Sequence, residues 1–352
     1  MQQFDQAIFS VLGASKSGKS SYLMALYSTM DGIDGGFNLN SGGDDQQDIA
    51  FASAWDAFVE TLQVPPTDGE PVEYTLVFGR GLERKVDIKW TDFRAHALMD
   101  LSPEGYGVEL VEQVNRAHTI FVVLDGEKLR RPIAPADLAR VKSEMQIPRM
   151  TKILTDVFQE RKRHGMSQPS VIVLVTKADT ISWQSGDAAN GNVRSMQDVV
   201  EDVSKRLLPY AFLPEISSAI CPVSIGSLGL NGDHLTGKVE PKRVGAPLLI
   251  ALVYFYETRL AECNEEAQQL GRREADIQRQ LLKPVVERPP WGHNRAQARL
   301  RTELDGIAEQ RERLEQRQIL YADEITKIRS EILHQQQSPD GVIPAPWMSG
   351  NV

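Results

Sequence analysis

The chain has 352 residues, a formal net charge of −9, 41% hydrophobic residues and two cysteines, Cys221 and Cys263. That length accommodates a large α/β domain with an appendage or two domains, and the apolar share supports a sizeable core. The acidic balance argues against non-specific nucleic-acid binding, two distant cysteines make neither a disulfide framework nor a metal spacing, and the longest apolar run, 247–256, is too short to span a bilayer. The start of the chain lacks the basic and apolar stretch of a signal peptide, so a cytoplasmic location is expected.

In chain order, an apolar run predicts a strand over Ala7–Leu12, and apolar residues at helical spacing predict a helix over Lys19–Thr29. Between them stands Gly13-Ala14-Ser15-Lys16-Ser17-Gly18-Lys19-Ser20, a complete G-x-x-x-x-G-K-S, with Ser21 in the first turn of the helix. Strand, loop and helix form the setting in which this pattern binds a nucleoside triphosphate. Glycines let successive N–H groups point at phosphate oxygens, aided by the helix N-terminus. Lys19 is placed to reach the β- and γ-phosphates, and the Ser20 hydroxyl to ligate Mg²⁺.

A loop (32–45), a helix (Gln46–Leu62) and a Pro-rich loop (65–71) follow. Strands Glu73–Phe78 and Lys85–Thr91, flanking Gly79-Arg80-Gly81, read as an antiparallel hairpin. Then come a helix (Gly107–Arg116), a strand (Thr119–Leu124), a long helix (Pro135–Gly165), a strand (Val171–Thr176), a loop (185–192), a helix (Met196–Leu208), a strand (Ala219–Val223) and a helix (Ala246–Glu262). This alternation predicts a doubly wound, mostly parallel α/β sheet over residues 1–262.

Beyond Glu262 the composition turns to Glu, Gln, Arg, Leu and Ile. From Leu300 through Leu304, Ile307, Arg311, Leu314, Gln318, Tyr321, Ile325, Ile328 and Ile332 the spacing alternates four and three, a heptad seam of about 50 Å. Leu260, Cys263, Ala267, Leu270, Ile277 and Leu281 give a shorter version, and the Pro-rich stretch 283–293 separates the two. Residues 263–337 therefore predict an antiparallel helical hairpin, coiled-coil in character, that extends the last helix of the α/β domain. Arg311 and Gln318 at seam positions are candidates for setting register or oligomeric state. The tail, 338–352, is Pro- and Gly-rich and expected to be disordered.

Three later segments name the base. The apolar strand ending in Thr176-Lys177-Ala178-Asp179 resembles the N-K-x-D base-recognition motif of Ras-like and translation-factor GTPases, with Thr176 where Asn is usual. A carboxylate at Asp179 accepts two hydrogen bonds from guanine, whereas adenine offers no donor at N1; the Lys177 stem would pack over the base plane. Ala219–Ile225 resembles the last strand of those GTPases, which implies that Ser224 opens the loop beneath the base, with the N–H of Ile225 or Gly226 facing guanine O6. The strand ending in Asp92 fits the acidic residue that holds Mg²⁺ in P-loop NTPases. Where GTPases read D-x-x-G this chain has Ala95, and His96 follows at the place of the residue that orients the attacking water. Thr67, in Val64-Pro-Pro-Thr-Asp-Gly69, is the candidate first-switch ligand to Mg²⁺. Together these features resemble the bacterial double-GTPase families of the TRAFAC class, the wider likeness covering residues 7–262.

The resemblance implies a Mg²⁺-dependent GTP/GDP-binding switch with slow hydrolysis, in which Lys19 and His96 serve catalysis. It does not extend to the hairpin; there the unbroken heptad seam adjoining the last helix of the domain points to residues 263–337 as the part that binds a protein partner or a second copy. Two alternatives stay open at this stage. One is a scaffold that binds nucleotide with little turnover; the other is an ATPase in which T-K-x-D is an accidental strand end.

Overall fold

The structure, a computed structural model, describes residues 5–30, 36–62, 72–92, 106–181, 194–231, 234–282 and 293–337. Thr67, Ala95, His96 and the tail from Ser338 lie outside the described residues. The chain divides into two compact units: one holds the chain up to Ala251 and the end of the last helix from Ile332, the other is Leu252–Glu331.

The first unit is α/β. Seven strands, β1 (Asp5–Gly13), β2 (Phe37–Asn40), β3 (Val72–Arg80), β4 (Glu83–Asp92), β5 (Thr119–Asp125), β6 (Ser170–Thr176) and β7 (Ser218–Pro222), form one sheet in the order β2-β3-β4-β1-β5-β6-β7. β4, β1, β5, β6 and β7 run parallel, while β3 is antiparallel to both β2 and β4. The expected β3–β4 hairpin is present. β6 is buried along its whole length, as a parallel strand covered on both faces must be.

Helices cover both faces. Leu12, Val122 and Val173 pack with Leu110 and Val114 of α3 (Tyr106–Arg116), Met150 and Leu154 of α5 (Ile147–Arg163) and Val199 of α6 (Met196–Asp202). Opposite, Phe9, Trp90 and Phe121 form a ring cluster that Tyr22 of α1 (Lys19–Thr29) joins at 6.2 Å from Trp90. Phe51 of α2 (Asp45–Thr61) stacks on Tyr27 at 4.4 Å and meets Tyr74 of β3 at 5.1 Å. The same helix donates from Gln47 Nε2 to the Thr75 carbonyl on β3 (2.9 Å). Arg161, buried on α5, donates to the carbonyls of Asn115, Ala117 and Ser167, and burial lowers its pKa to about 10. Cys221 and Cys263 are free and buried.

Several expected elements differ in detail. The segment predicted as one helix over 135–165 is a 3₁₀ turn (Pro135–Asp137), α4 (Leu138–Glu144) and α5. Gln146 takes a left-handed backbone (φ 57°) between α4 and α5, and Pro148 falls in the first turn of α5, where no N–H is needed. The helix expected over 196–208 ends as α6, and a π turn (Val203–Leu207) completes it. The stretch 32–45, read as a loop, contains β2. After Ser224 the chain forms a two-stranded antiparallel ribbon, β8 (Ser224–Asn231) and β9 (His234–Lys242), absent from the sequence reading.

The second unit is built from α7 (Ala246–Leu282) and α8 (His293–Gln337), whose bounds exceed it at either end. Within it the helices are antiparallel, since Arg273 pairs with Glu303, Asn264 accepts from Gln318 and Glu257 pairs with Arg329. Cys263, Leu270 and Ile277 of α7 and Ile307, Leu314, Tyr321 and Ile328 of α8 are buried. Arg311 pairs with Glu274 (2.6 Å) and Gln318 donates to Asn264 (2.9 Å), so both polar seam residues are spent on the partner helix of the same chain. No helix among the described residues is long and apolar enough to cross a membrane.

Candidate functional site

β1 is the strand at which the sheet's order reverses: the chain reaches β4 on one side of it and β5 on the other. In open α/β sheets the crevice at the carboxyl ends of the strands beside such a strand is where ligands bind. The loop Gly13–Ser20 opens from the carboxyl end of β1, and Asp92 ends β4, in register with Val11. β5 ends in Asp125, and the Thr176–Asp179 segment leaves β6. Thus the G-x-x-x-x-G-K-S loop, Asp92 and the T-K-x-D segment share one edge of the sheet.

In the loop, Ala14 and Ser17 are buried and Ser15 and Lys16 exposed. Lys16 (φ 60°) and Gly18 (φ 92°) are left-handed. A side chain at Gly13 would bring a Cβ within 2.9 Å of the Val123 carbonyl, so the close approach of loop and β5 requires glycine. α1 starts directly behind the loop. Among the described residues no side chain caps its N-terminus and no acidic residue lies in its first turn. By contrast, Asp44 caps α2 and a Ser195–Asp198 capping box closes α6. Left-handed loop residues above an uncapped helix start suit a bound anion.

Lys19 Nζ donates to the carbonyls of Gly13 (2.9 Å) and Ala14 (3.0 Å). Ser20 Oγ donates to Asp92 Oδ2 at 2.9 Å, with Asp92 buried. A hydroxyl and a carboxylate side by side are hard oxygen donors of the kind Mg²⁺ takes, with water and phosphate completing its shell. Among the described residues no group of three or more His, Cys, Asp or Glu stands ready for a metal, so a cation here would depend on such outside oxygens. Ser21, next on α1, is buried.

On the other side, Thr176 Oγ1 donates to the Ser17 carbonyl (2.7 Å), with the Leu124 carbonyl at 3.1 Å. Lys177 is left-handed (φ 50°) and its Nζ reaches the Lys16 carbonyl (3.5 Å) and Asp125 Oδ2 (2.9 Å). Ser224 Oγ donates to Asp179 Oδ1 at 2.8 Å. Ser224 opens strand β8 instead of a loop, and its hydroxyl accepts the Gly226 N–H (3.1 Å), so that N–H is engaged at the start of the strand. Beneath the loop, burial raises the pKa of the Tyr22 phenol and pushes that of the Cys221 thiol up to about 12, so neither is a ready nucleophile.

Asp125 was not among the residues the motifs singled out. Its signal in the sequence is Asp125-Gly126 immediately after the apolar run Thr119–Leu124. No model of a known protein family matches the chain, and neither does any curated protein at a significant level.

Proposed function

We propose that this chain is a P-loop GTPase-like switch that binds GTP and GDP with Mg²⁺ and hydrolyses GTP slowly. In this reading the nucleotide state is passed to a protein partner through the coiled-coil hairpin of α7 and α8. The observation that carries the proposal is the hydrogen bond from Thr176 Oγ1 to the Ser17 carbonyl, which joins the T-K-x-D segment to the G-x-x-x-x-G-K-S loop at the sheet's reversal point. A base-reading carboxylate and a phosphate cradle belong on one ligand only if they are neighbours, and this bond supports that.

Each residue then has a task. Loop N–H groups and the start of α1 bind the phosphates, and Lys19 exchanges its two loop carbonyls for phosphate oxygens. Ser20 and Asp92 would hold Mg²⁺ together with Thr67, and the ion supplies charge neutralisation on the β- and γ-phosphate oxygens. His96 orients the attacking water. Asp179, its Oδ1 already engaged by Ser224, reads guanine N1–H and the exocyclic amine; an adenine in the same place would leave the carboxylate facing an acceptor.

The test is thermal denaturation with Mg²⁺ and GTP, GDP or ATP, on wild type and Asp179→Ala. A ligand at 100 times its Kd stabilises by about 2.7 kcal/mol. Wild type should gain this from GTP and GDP and not from ATP, and Asp179→Ala should lose the preference. Stabilisation by ATP alone would turn the reading to an ATPase. Tight GTP binding without turnover, unchanged in His96→Ala, would favour the nucleotide-stabilised scaffold.

A further inference from the structure

Lys177 owes its position to a residue outside the motifs. Asp125 Oδ2 accepts from Lys177 Nζ at 2.9 Å, while Asp125 Oδ1 accepts from the Glu127 N–H at 3.1 Å. The second bond caps the 3₁₀ turn Gly126–Lys128 and keeps the carboxylate from rotating away from the lysine. Gly126 fixes the corner from below, because a Cβ there would lie 2.2 Å from the Thr176 carbonyl oxygen. The end of β5 and the first residue of the T-K-x-D segment are therefore in direct backbone contact. Farther along the lysine, the Lys16 carbonyl lies 3.5 Å from the same ammonium.

We propose that Asp125 is a positioning residue for nucleotide binding: it holds the Lys177 stem in its working orientation before the ligand arrives. This rests on the reading that Lys177 covers a guanine base. Lysine has a long, rotamer-rich side chain, and ordering it at the moment of binding costs affinity that a prior ion pair saves. The pair is partly open to water, with side-chain exposures of 43% for Lys177 and 13% for Asp125. Pairs of this kind add little to stability, so the consequence should fall on the ligand and not on the fold.

Asp125→Asn is the discriminating variant. Its amide oxygen can still cap the Gly126–Lys128 turn, but the site facing Lys177 then carries an N–H₂ and repels the ammonium. The measurement is the dissociation rate of a fluorescent GDP from wild type, Asp125→Asn, Lys177→Ala and the double variant. Asp125→Asn should release GDP about tenfold faster, the equivalent of losing about 1.4 kcal/mol of binding. The double variant should release it no faster than Lys177→Ala alone, and the melting temperature of the ligand-free protein should stay at the wild-type value. A wild-type rate in Asp125→Asn, or independent losses in the double variant, would overturn the assignment while guanine binding itself stood. Failure of wild type to bind GDP at all would remove the base reading and this inference with it.

Discussion

The two ends of the candidate site differ in the partners their polar side chains hold. On the base side the polar groups already hold the orientations their proposed tasks need: Thr176 is bonded to the loop, Lys177 to Asp125, and Asp179 to Ser224. On the phosphate side the bonds stand where ligand atoms would go. Lys19 spends its ammonium on two carbonyls of its own loop, and Ser20 spends its hydroxyl on Asp92. The base side is thus preorganised, which favours affinity. If the proposed function holds, Lys19 and Ser20 would have to exchange these partners for ligand atoms, and a difference between nucleotide states would arise there.

Substitutions at three positions break or sharpen that contrast. The largest effect is expected from Lys19→Ala, which removes a charge from the phosphate side: GTP and GDP affinity should fall about 100-fold, close to 2.7 kcal/mol. Calorimetric titration measures this, and denaturation of the ligand-free variant should show a loss of no more than about 2 kcal/mol, the scale of its two part-buried bonds to carbonyls. A collapse of stability instead would make Lys19 a structural prop and erase the contrast. Gly126→Ala should cost about 2 kcal/mol of folding stability, since a methyl group forced against the Thr176 carbonyl overpacks a backbone corner. The denaturant midpoint reads it, and a wild-type midpoint would mean that the corner yields and the base side is less rigid than described. The smallest effect belongs to Thr176→Val, which keeps the shape and deletes the bond to Ser17, for about 1 kcal/mol. Thr176→Asn retains a donor and should recover most of it.

Much of the sheet was legible because a parallel strand buried on both faces is a continuous apolar run, and β1, β5 and β6 are such runs. The antiparallel pairing of α7 with α8 was legible because the heptad spacing survives over many turns and a Pro-rich stretch separates its two halves, and α1 because the G-K-S that opens it has a fixed place ahead of a helix. What was missed lacks either signal. β2 has four residues, Phe-Asn-Leu-Asn, half of them polar and flanked by Gly and Ser. β8 and β9 form a separate ribbon whose glycines at 226, 229 and 237 read as loop. The interruption at Gln146 depends on one residue adopting φ 57°, which no periodicity announces. In the site, the loop and the T-K-x-D segment carry fixed spacings and could be read directly. Asp125 carries only the weak signal of an Asp-Gly after an apolar run, because its bond to Lys177 spans 52 residues of chain and exists only once β5 and β6 lie side by side.

β2 pairs with Val77–Arg80, only the far half of β3. Among the described residues no strand pairs with the near half on this side, and its row of carbonyls is the kind of edge by which sheets add strands from neighbouring molecules. Gln47 of α2 blocks that row by donating to the Thr75 carbonyl, and Phe51, packed on Tyr74, anchors the helix there. The helix that intervenes between the G-x-x-x-x-G-K-S loop and the β3–β4 hairpin thus covers part of this edge. Shortening it would be felt first in solubility, before any change in ligand binding.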